Sequence, residues 1–215
     1  MKISMRRLLK PPSPSLNISR RKIDKIVKET PPGKVILDLG SGHRKLSDGA
    51  INLDIYPFRF VNVVGDGHRL PLKDESVDVI ICQAVLEHVK EPAIVVREMH
   101  RVLKKGCAIY VEIPFLQGYH ADPADFQRYT IRGIERLMMP FEKEDVGVCV
   151  GPVSTFCWWI RKMPTIFIRN RSLAKGMEFV SGWLTFWLKY LDLLFIKAAN
   201  AHIIAAGLFF RGKKN

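Results

Sequence analysis

Two short segments hold the residues best suited to proton chemistry. Gly118-Tyr119-His120-Ala121-Asp122-Pro123-Ala124-Asp125-Phe126-Gln127-Arg128-Tyr129-Thr130 packs a histidine, acids, an arginine and two tyrosines into one loop. Gln83-Ala84-Val85-Leu86-Glu87-His88-Val89 sets a second histidine beside a carboxylate. Imidazole titrates near neutrality, so His120 is the first candidate for a general base and His88 the second. Tyr119, Asp125, Arg128 and Tyr129 are candidates for contacting a polar ligand. A plainer reading stands beside this one. Asp125 and Arg128 can form an ion pair that fixes the loop, Thr130 can cap the next helix, and His88 can be a satisfied structural histidine. Glu87, His88 and His120 lack the sequence spacing of a metal motif, so no metal is expected.

A second set of residues is spaced for holding a ligand. Asp38-Leu39-Gly40-Ser41-Gly42 leads an apolar run straight into a turn with two glycines, where positive φ and a missing Cβ let a ligand approach the backbone. Asp54 follows in Asn52-Leu53-Asp54-Ile55-Tyr56, where a carboxylate can accept both hydroxyls of a ribose or, equally, cap a backbone N–H. Asp66, in Gly65-Asp66-Gly67, can accept from an adenine amino group. With the segment from Leu70 to Val89 these make four motifs in order, far more specific together than any one alone.

Strand ends must carry these motifs. Residues 35–39, 50–54, 61–64, 77–82 and 108–113 read as five short strands, their apolar runs suiting a parallel sheet buried on both faces. Helices are expected from Asn17 or Ser19 to about Lys28, over 92–102 with Lys104-Lys105-Gly106 as its stop, and from Thr130 to Met138. Residues 146–150 read as a sixth strand and 202–210 as the last. The fold class is α/β, a doubly wound sheet with its ligand edge at the strand ends. Only eight residues, 43–50, separate the glycine loop from the second strand, so the first crossover helix is shortened to a turn or lost. Lys45 replaces the third glycine of a dinucleotide fingerprint, which further argues against a pyrophosphate ligand.

The ordered motifs resemble those of class I S-adenosylmethionine-dependent methyltransferases, in particular the subgroup related to ubiquinone/menaquinone-biosynthesis enzymes, over about residues 35–138. The resemblance implies a Rossmann-like sheet, mostly parallel with an antiparallel last strand, and S-adenosylmethionine as cofactor. It implies that Gly40, Ser41 and Gly42 face the methionine moiety, with Asp38 at the head of the loop. Asp54 would hold the ribose with Ile55 against the adenine, Asp66 would meet the adenine amino group with Gly67 following, and Gln83 and Ala84 would lie beside the cofactor. His120, then Pro123-Ala124-Asp125-Phe126, then Arg128-Tyr129-Thr130 is similar to an arrangement in methyltransferases encoded among saccharide-assembly enzymes.

Charge is distributed unevenly. Residues 1–28 carry nine Lys or Arg against one acid, residues 151–215 ten against two, and the stretch between fifteen against eighteen. Basic ends around a mildly acidic core do not suit a nucleic-acid site, and no nucleic acid is expected; they suit an anionic membrane surface or simple solvation. The four cysteines have no paired spacing, so reduced thiols and a cytoplasmic setting are expected. The first ten residues lack an apolar run for a secretory signal and faintly resemble a transit peptide.

Residues 178–196 are apolar except for one helical stripe, Glu178, Ser181, Gly182, Thr185, Lys189 and Asp192. Three readings stay open: a helix buried between the core and Trp158-Trp159, a homodimer contact, or an interfacial membrane helix. The expected organisation is a basic extension and helix (1–30), a cofactor-binding core (31–150), an apolar and basic helical insertion (151–200), and a closing strand with a basic tail (201–215). The expected function is O-methylation of a saccharide or lipid-linked acceptor at the membrane surface. Methylation of a small soluble metabolite and a non-catalytic adenosyl-binding scaffold are the alternatives.

Overall fold

The computed structural model describes residues 10–16 and 18–215. Most of the segment likened to a transit peptide, and Asn17, lie outside the described residues. Strands β1 (Ile36–Leu39), β2 (Ile51–Asp54), β3 (Val63–Val64), β4 (Val77–Gln83), β5 (Leu103–Pro114), β6 (Glu142–Val150) and β7 (Gly207–Lys213) form one sheet, ordered β3-β2-β1-β4-β5-β7-β6. Every neighbouring pair is parallel except the two made by β7. This is the Rossmann-like, doubly wound arrangement with an antiparallel last strand.

Alternation along the strands sends side chains to opposite faces. Leu37, Leu39, Leu53, Ile80, Ile109, Val111, Leu208 and Phe210 pack under α2 (Pro92–Val102) and α3 (Ile131–Leu137), against Val95, Val96, Met99 and Ile134. Ile36, Val79, Ile81, Tyr110 and Phe209 face the other side and meet Ile23 of α1 (Ile18–Glu29). No helix forms between β1 and β2. Leu46 and Ala50 of that connection instead fold down beside Ile23, so α1 and a loop cover the face that a crossover helix would fill.

Several sequence boundaries need correction. Ser19 lies inside the first turn of α1 and does not precede it. α2 does run over 92–102 as expected, but Leu103 is already extended. Gly106 is no helix stop: at φ +71° it sits within β5, its N–H bonded to the Lys214 carbonyl, where the register with β4 shifts between Val77 and Val79. The last strand begins at Gly207 and not at His202, because Ala201–Ile203 form a 3-10 turn.

The largest difference concerns the arm. α4 (Pro152–Phe167) and α5 (Arg171–Thr185) pack as a hairpin, followed by a 3-10 turn (Leu188–Leu191) and the single turn α6 (Asp192–Phe195). The stretch 178–196 is therefore not one helix. Its polar stripe turns inward: Gly182, Thr185, Lys189 and Asp192 are buried, while Phe179, Trp183, Trp187, Tyr190 and Phe195 are exposed. Burial of that apolar arc between the core and Trp158-Trp159 does not occur. α4 behaves alike, burying Ser154, Thr155, Cys157 and Arg161 and exposing Phe156, Trp159, Ile166 and Phe167.

Bonds explain the inversion. Asp192, 1% exposed, accepts from the Val153 and Ser154 N–H groups at 2.8 and 2.9 Å, and also from the Ser154 hydroxyl. It thereby caps a helix whose own N-cap residue, Gly151, has no side chain. Arg161 donates to the carbonyls of Pro12 and Gly182, and Lys189 to that of Ser13. Among the described residues, no helix is long and apolar enough to cross a membrane.

Candidate active site

The carboxyl ends of β1, β2, β3 and β4 open onto a cleft of about 190 Å³. Gly40, Gly42, Asp54, Ile55, Asp66, Gly67 and Ala84 line it, joined by Tyr56, Phe58 and Val85. Gly40 has φ +69°, and a Cβ there would fall 2.1 Å from Val85 Cγ2, so backbone angle and packing both require glycine. Gly42, at φ +55°, has open space where a Cβ would stand. Ala84 also holds a positive φ, +55°, at the end of β4, where an alanine is strained.

Asp54 fastens the loops on either side of the cleft. One carboxylate oxygen accepts from the Gly42 N–H (2.9 Å), the other from the Tyr56 N–H (3.0 Å). Each oxygen keeps a lone pair for a further donor. Asp66 accepts from the His68 N–H at 2.9 Å, which holds its carboxyl below the usual range.

Asp38, Ser41 and Gln83 do not line the cleft. Asp38 is fully buried on the α1 face of the sheet and paired with Arg44 through both carboxylate oxygens. Burial raises its pKa, with Arg44 opposing. Arg44 also donates to Gln83, Gln83 donates to Glu112 (2.7 Å), and the Tyr110 hydroxyl donates to the other Glu112 oxygen (2.6 Å). This chain crosses β1, β4 and β5 and ties the short β1–β2 connection to the sheet. Arg44 was not singled out by sequence reasoning; the signal was a carboxylate within an apolar strand, which needs a nearby cation when buried.

The loop after β5 confirms the plainer reading of one pair. Asp125, with a side chain 1% exposed, receives two bonds from Arg128 and one from the His120 N–H (2.8 Å). The Arg128 guanidinium outweighs burial and holds this carboxyl at about 2. Arg128 also donates to the Gln117 and Gly118 carbonyls, so the pair is a clamp that shapes the loop. Thr130 caps α3, its side chain accepting from the Gly133 N–H. Tyr119 is 75% exposed, whereas Tyr129 packs on the core, where burial pushes its phenol up to about 12.

His88, Asp122 and Pro123 line the cleft beside Val85. His120 stands edge-on to His88, with ring centroids 5.2 Å apart. The Nε2 atoms of both histidines lie 3.7 Å from the same Glu87 oxygen. Glu87 raises the pKa of His120 against burial. The arm touches this loop at its root. Trp158 packs on Gly118, and the Trp159 indole donates to the Leu116 carbonyl at 3.1 Å.

Residues 37–111, which include the glycine loop, Asp54, Asp66 and Glu87-His88, match the family model of a methyltransferase domain. The chain therefore carries a methyltransferase domain, for which S-adenosylmethionine is the cofactor. Its fold is class I. The methyltransferase superposes on the putative methyltransferase bound to the Haloferax volcanii Trm112 activator with TM-score 0.59 and 14% identity, covering 92% of this chain and 88% of that one. Phosphoethanolamine N-methyltransferase 2 of Haemonchus contortus, in complex with S-adenosyl-L-methionine, gives 0.56 and 15% over 91% and 52%. The cyclase SpnF gives 0.57 and 16% over 90% and 80%. At such identities these likenesses speak for the fold. No curated protein matches the chain in sequence.

Proposed function

We propose that this methyltransferase acts on an oxygen of a saccharide or lipid-linked acceptor presented at an anionic membrane surface. The motif order supports a place beside the ubiquinone/menaquinone-type enzymes. The cofactor supplies an electrophilic methyl carbon; the chain supplies alignment. Gly40 and Gly42 leave room for the methionine moiety, Asp54 offers its remaining lone pairs to the ribose, and Ile55 and Phe58 form an apolar wall for the adenine near Asp66 and Gly67. Asp38, Ser41 and Gln83 act from behind, through the loop they hold. His88 and His120 activate the acceptor, with Tyr129 and the Asp125–Arg128 clamp shaping its side of the cleft and Tyr119 at the rim.

The inverted arm carries the membrane part of this reading. Its inner polar groups bond to one another and to residues 12–13, and its outer face is apolar and aromatic, with exposed Arg169, Arg171, Lys175 and Lys197. Soluble monomers rarely leave so wide an apolar patch open. A helix of 16 residues, like α4, spans about 24 Å, short of a bilayer core of about 30 Å. The hairpin therefore suits the interface, and basic residues favour anionic lipid over a second, equally basic copy. Trp158 and Trp159 bring that surface to the root of the acceptor loop.

The test is flotation of the protein with phosphatidylglycerol-containing and with pure phosphatidylcholine vesicles, using wild type and a Phe167→Asp/Trp187→Glu variant whose cofactor binding is intact. Anionic vesicles should carry wild type and release the variant. Wild type left at the bottom of the gradient overturns the membrane reading, and a concentration-dependent dimer lost in the variant would assign the face to a second copy.

A further inference from the structure

We infer that Glu87, His88 and His120 form a binding site for one divalent transition-metal ion of the zinc class, with an open coordination position on the acceptor side of the cleft. The inference rests on the assignment of the two histidines to that side, but it concerns their ligand and not the acceptor's identity.

The first observation is an unexplained carboxylate. Glu87 is fully buried, and neither of its oxygens has a hydrogen-bond partner. An ionised carboxylate in that condition is strongly disfavoured unless a cation completes its surroundings. The neighbours are placed to share one. A donor atom from each of Glu87, His88 and His120 lies within 4.8 Å of the others. A tetrahedral ion with bonds of about 2.1 Å holds its donors roughly 3.4 Å apart. The 3.7 Å separations from Glu87 to each Nε2 close to that by small side-chain rotations.

The second observation is the tautomer. His88 Nδ1 bonds the Ala124 carbonyl, and His120 Nδ1 lies 3.0 Å from the Gly118 carbonyl. A carbonyl only accepts, so His88 Nδ1 carries the proton and that neutral ring keeps its lone pair at Nε2, the atom turned to Glu87; His120 Nδ1 stands between the Gly118 carbonyl and the Arg128 guanidinium (3.3 Å), and a cation at its Nε2 would select the Nδ1–H tautomer. Backbone carbonyls behind metal-ligating histidines fix ring and tautomer in this manner. The backing is itself braced: Arg128 donates to the same Gly118 carbonyl (3.1 Å), and the Phe126 N–H bonds the Glu87 carbonyl (2.8 Å). Two imidazoles and one carboxylate leave a fourth position open, as in catalytic zinc sites. An acceptor hydroxyl there would lose its proton more easily, releasing it to solvent. The oxygen would then form the new bond to the methyl carbon while the C–S electron pair stays on sulfur.

The experiment is titration of metal-free protein with Co²⁺, read by its visible absorption and by calorimetry, in wild type, His88→Ala, His120→Ala and Glu87→Gln. S-adenosylmethionine binding serves as the check on folding. Wild type should bind one equivalent with the intense bands of a four-coordinate site. Each histidine variant should lose affinity by more than about 100-fold, beyond the loss from removing an outer-shell partner, while still binding the cofactor. Glu87→Gln, nearly isosteric, keeps the test sound if a larger change unfolds the loop. Wild type that binds the cofactor but no Co²⁺ overturns the site and leaves a plain His–Glu–His proton network. Equal Co²⁺ binding in all four proteins overturns it as well. Vesicle binding plays no part in this readout, so the metal and membrane readings fail separately.

Discussion

Replacing Gly40 tests the geometry of the glycine loop directly. Alanine at φ +69° in the left-handed region costs about 1–2 kcal/mol. Its Cβ would lie 2.1 Å from Val85 Cγ2, a clash that overpacking studies place at about 1–3 kcal/mol. Gly40→Ala should therefore destabilise by about 2–5 kcal/mol. The next nearest atom is Val85 Cβ at 3.4 Å, an ordinary contact, so Val85→Ala removes the clash and leaves the backbone term. Urea unfolding of wild type, both single variants and the double variant then gives a cycle. The double variant should recover about 1–3 kcal/mol relative to the sum of the singles, with unchanged m values. Additivity to within about 0.5 kcal/mol would refute the packing argument and leave φ alone as the reason for glycine.

Asp54→Asn should weaken S-adenosylmethionine about 10–100-fold by calorimetry, since a bond to a charged group contributes roughly 1.5–3 kcal/mol; unchanged affinity would remove Asp54 from the ribose. Asp78 should make stability sensitive to acid. Burial alone would raise its carboxyl, but the Val35 N–H with Lys104 and Lys34 lowers it from 3.8 to about 2. A depressed folded pKa contributes stability above pH 4 that is lost as pH falls through 2. After allowance for the half-exposed lysines the term is about 1–2 kcal/mol. Asp78→Asn should lose that much at pH 7 and match wild type near pH 2, as measured by urea unfolding at both.

The core strands, the lost crossover helix and most of the cleft were legible because apolar runs and strand-end glycines are local signals. Asp54, Asp66 and Ala84 stand where the spacing put them. Asp38 and Gln83 stand off the cleft because residues on one strand share a motif but not a face: their side chains turn away from it toward Arg44. The arm was harder. A helical stripe tells which residues lie together but not whether they point in or out, and here the partners that turn it inward, Ser154 and the carbonyls of Pro12 and Ser13, are remote in sequence. The convergence of Glu87, His88 and His120 was hidden likewise, since two loops bring it about and no spacing records it.

The carbonyls of residues 12 and 13 have a consequence for the order in which the molecule assembles. They meet Arg161 and Lys189 across 149 and 176 residues of chain, so the strap is synthesised well before the side chains that hold it. Joining ends so far apart in a free chain would cost about 4–5 kcal/mol in closure entropy. The sheet removes most of that cost beforehand, because β6 is already held beneath α1 when the arm arrives. The arm's inner cations are thus the last to find shelter and the first to lose it. Release of the strap would take the Ser13 carbonyl from Lys189 and one of its two carbonyls from Arg161, loosening the helical hairpin before the sheet that carries the cleft.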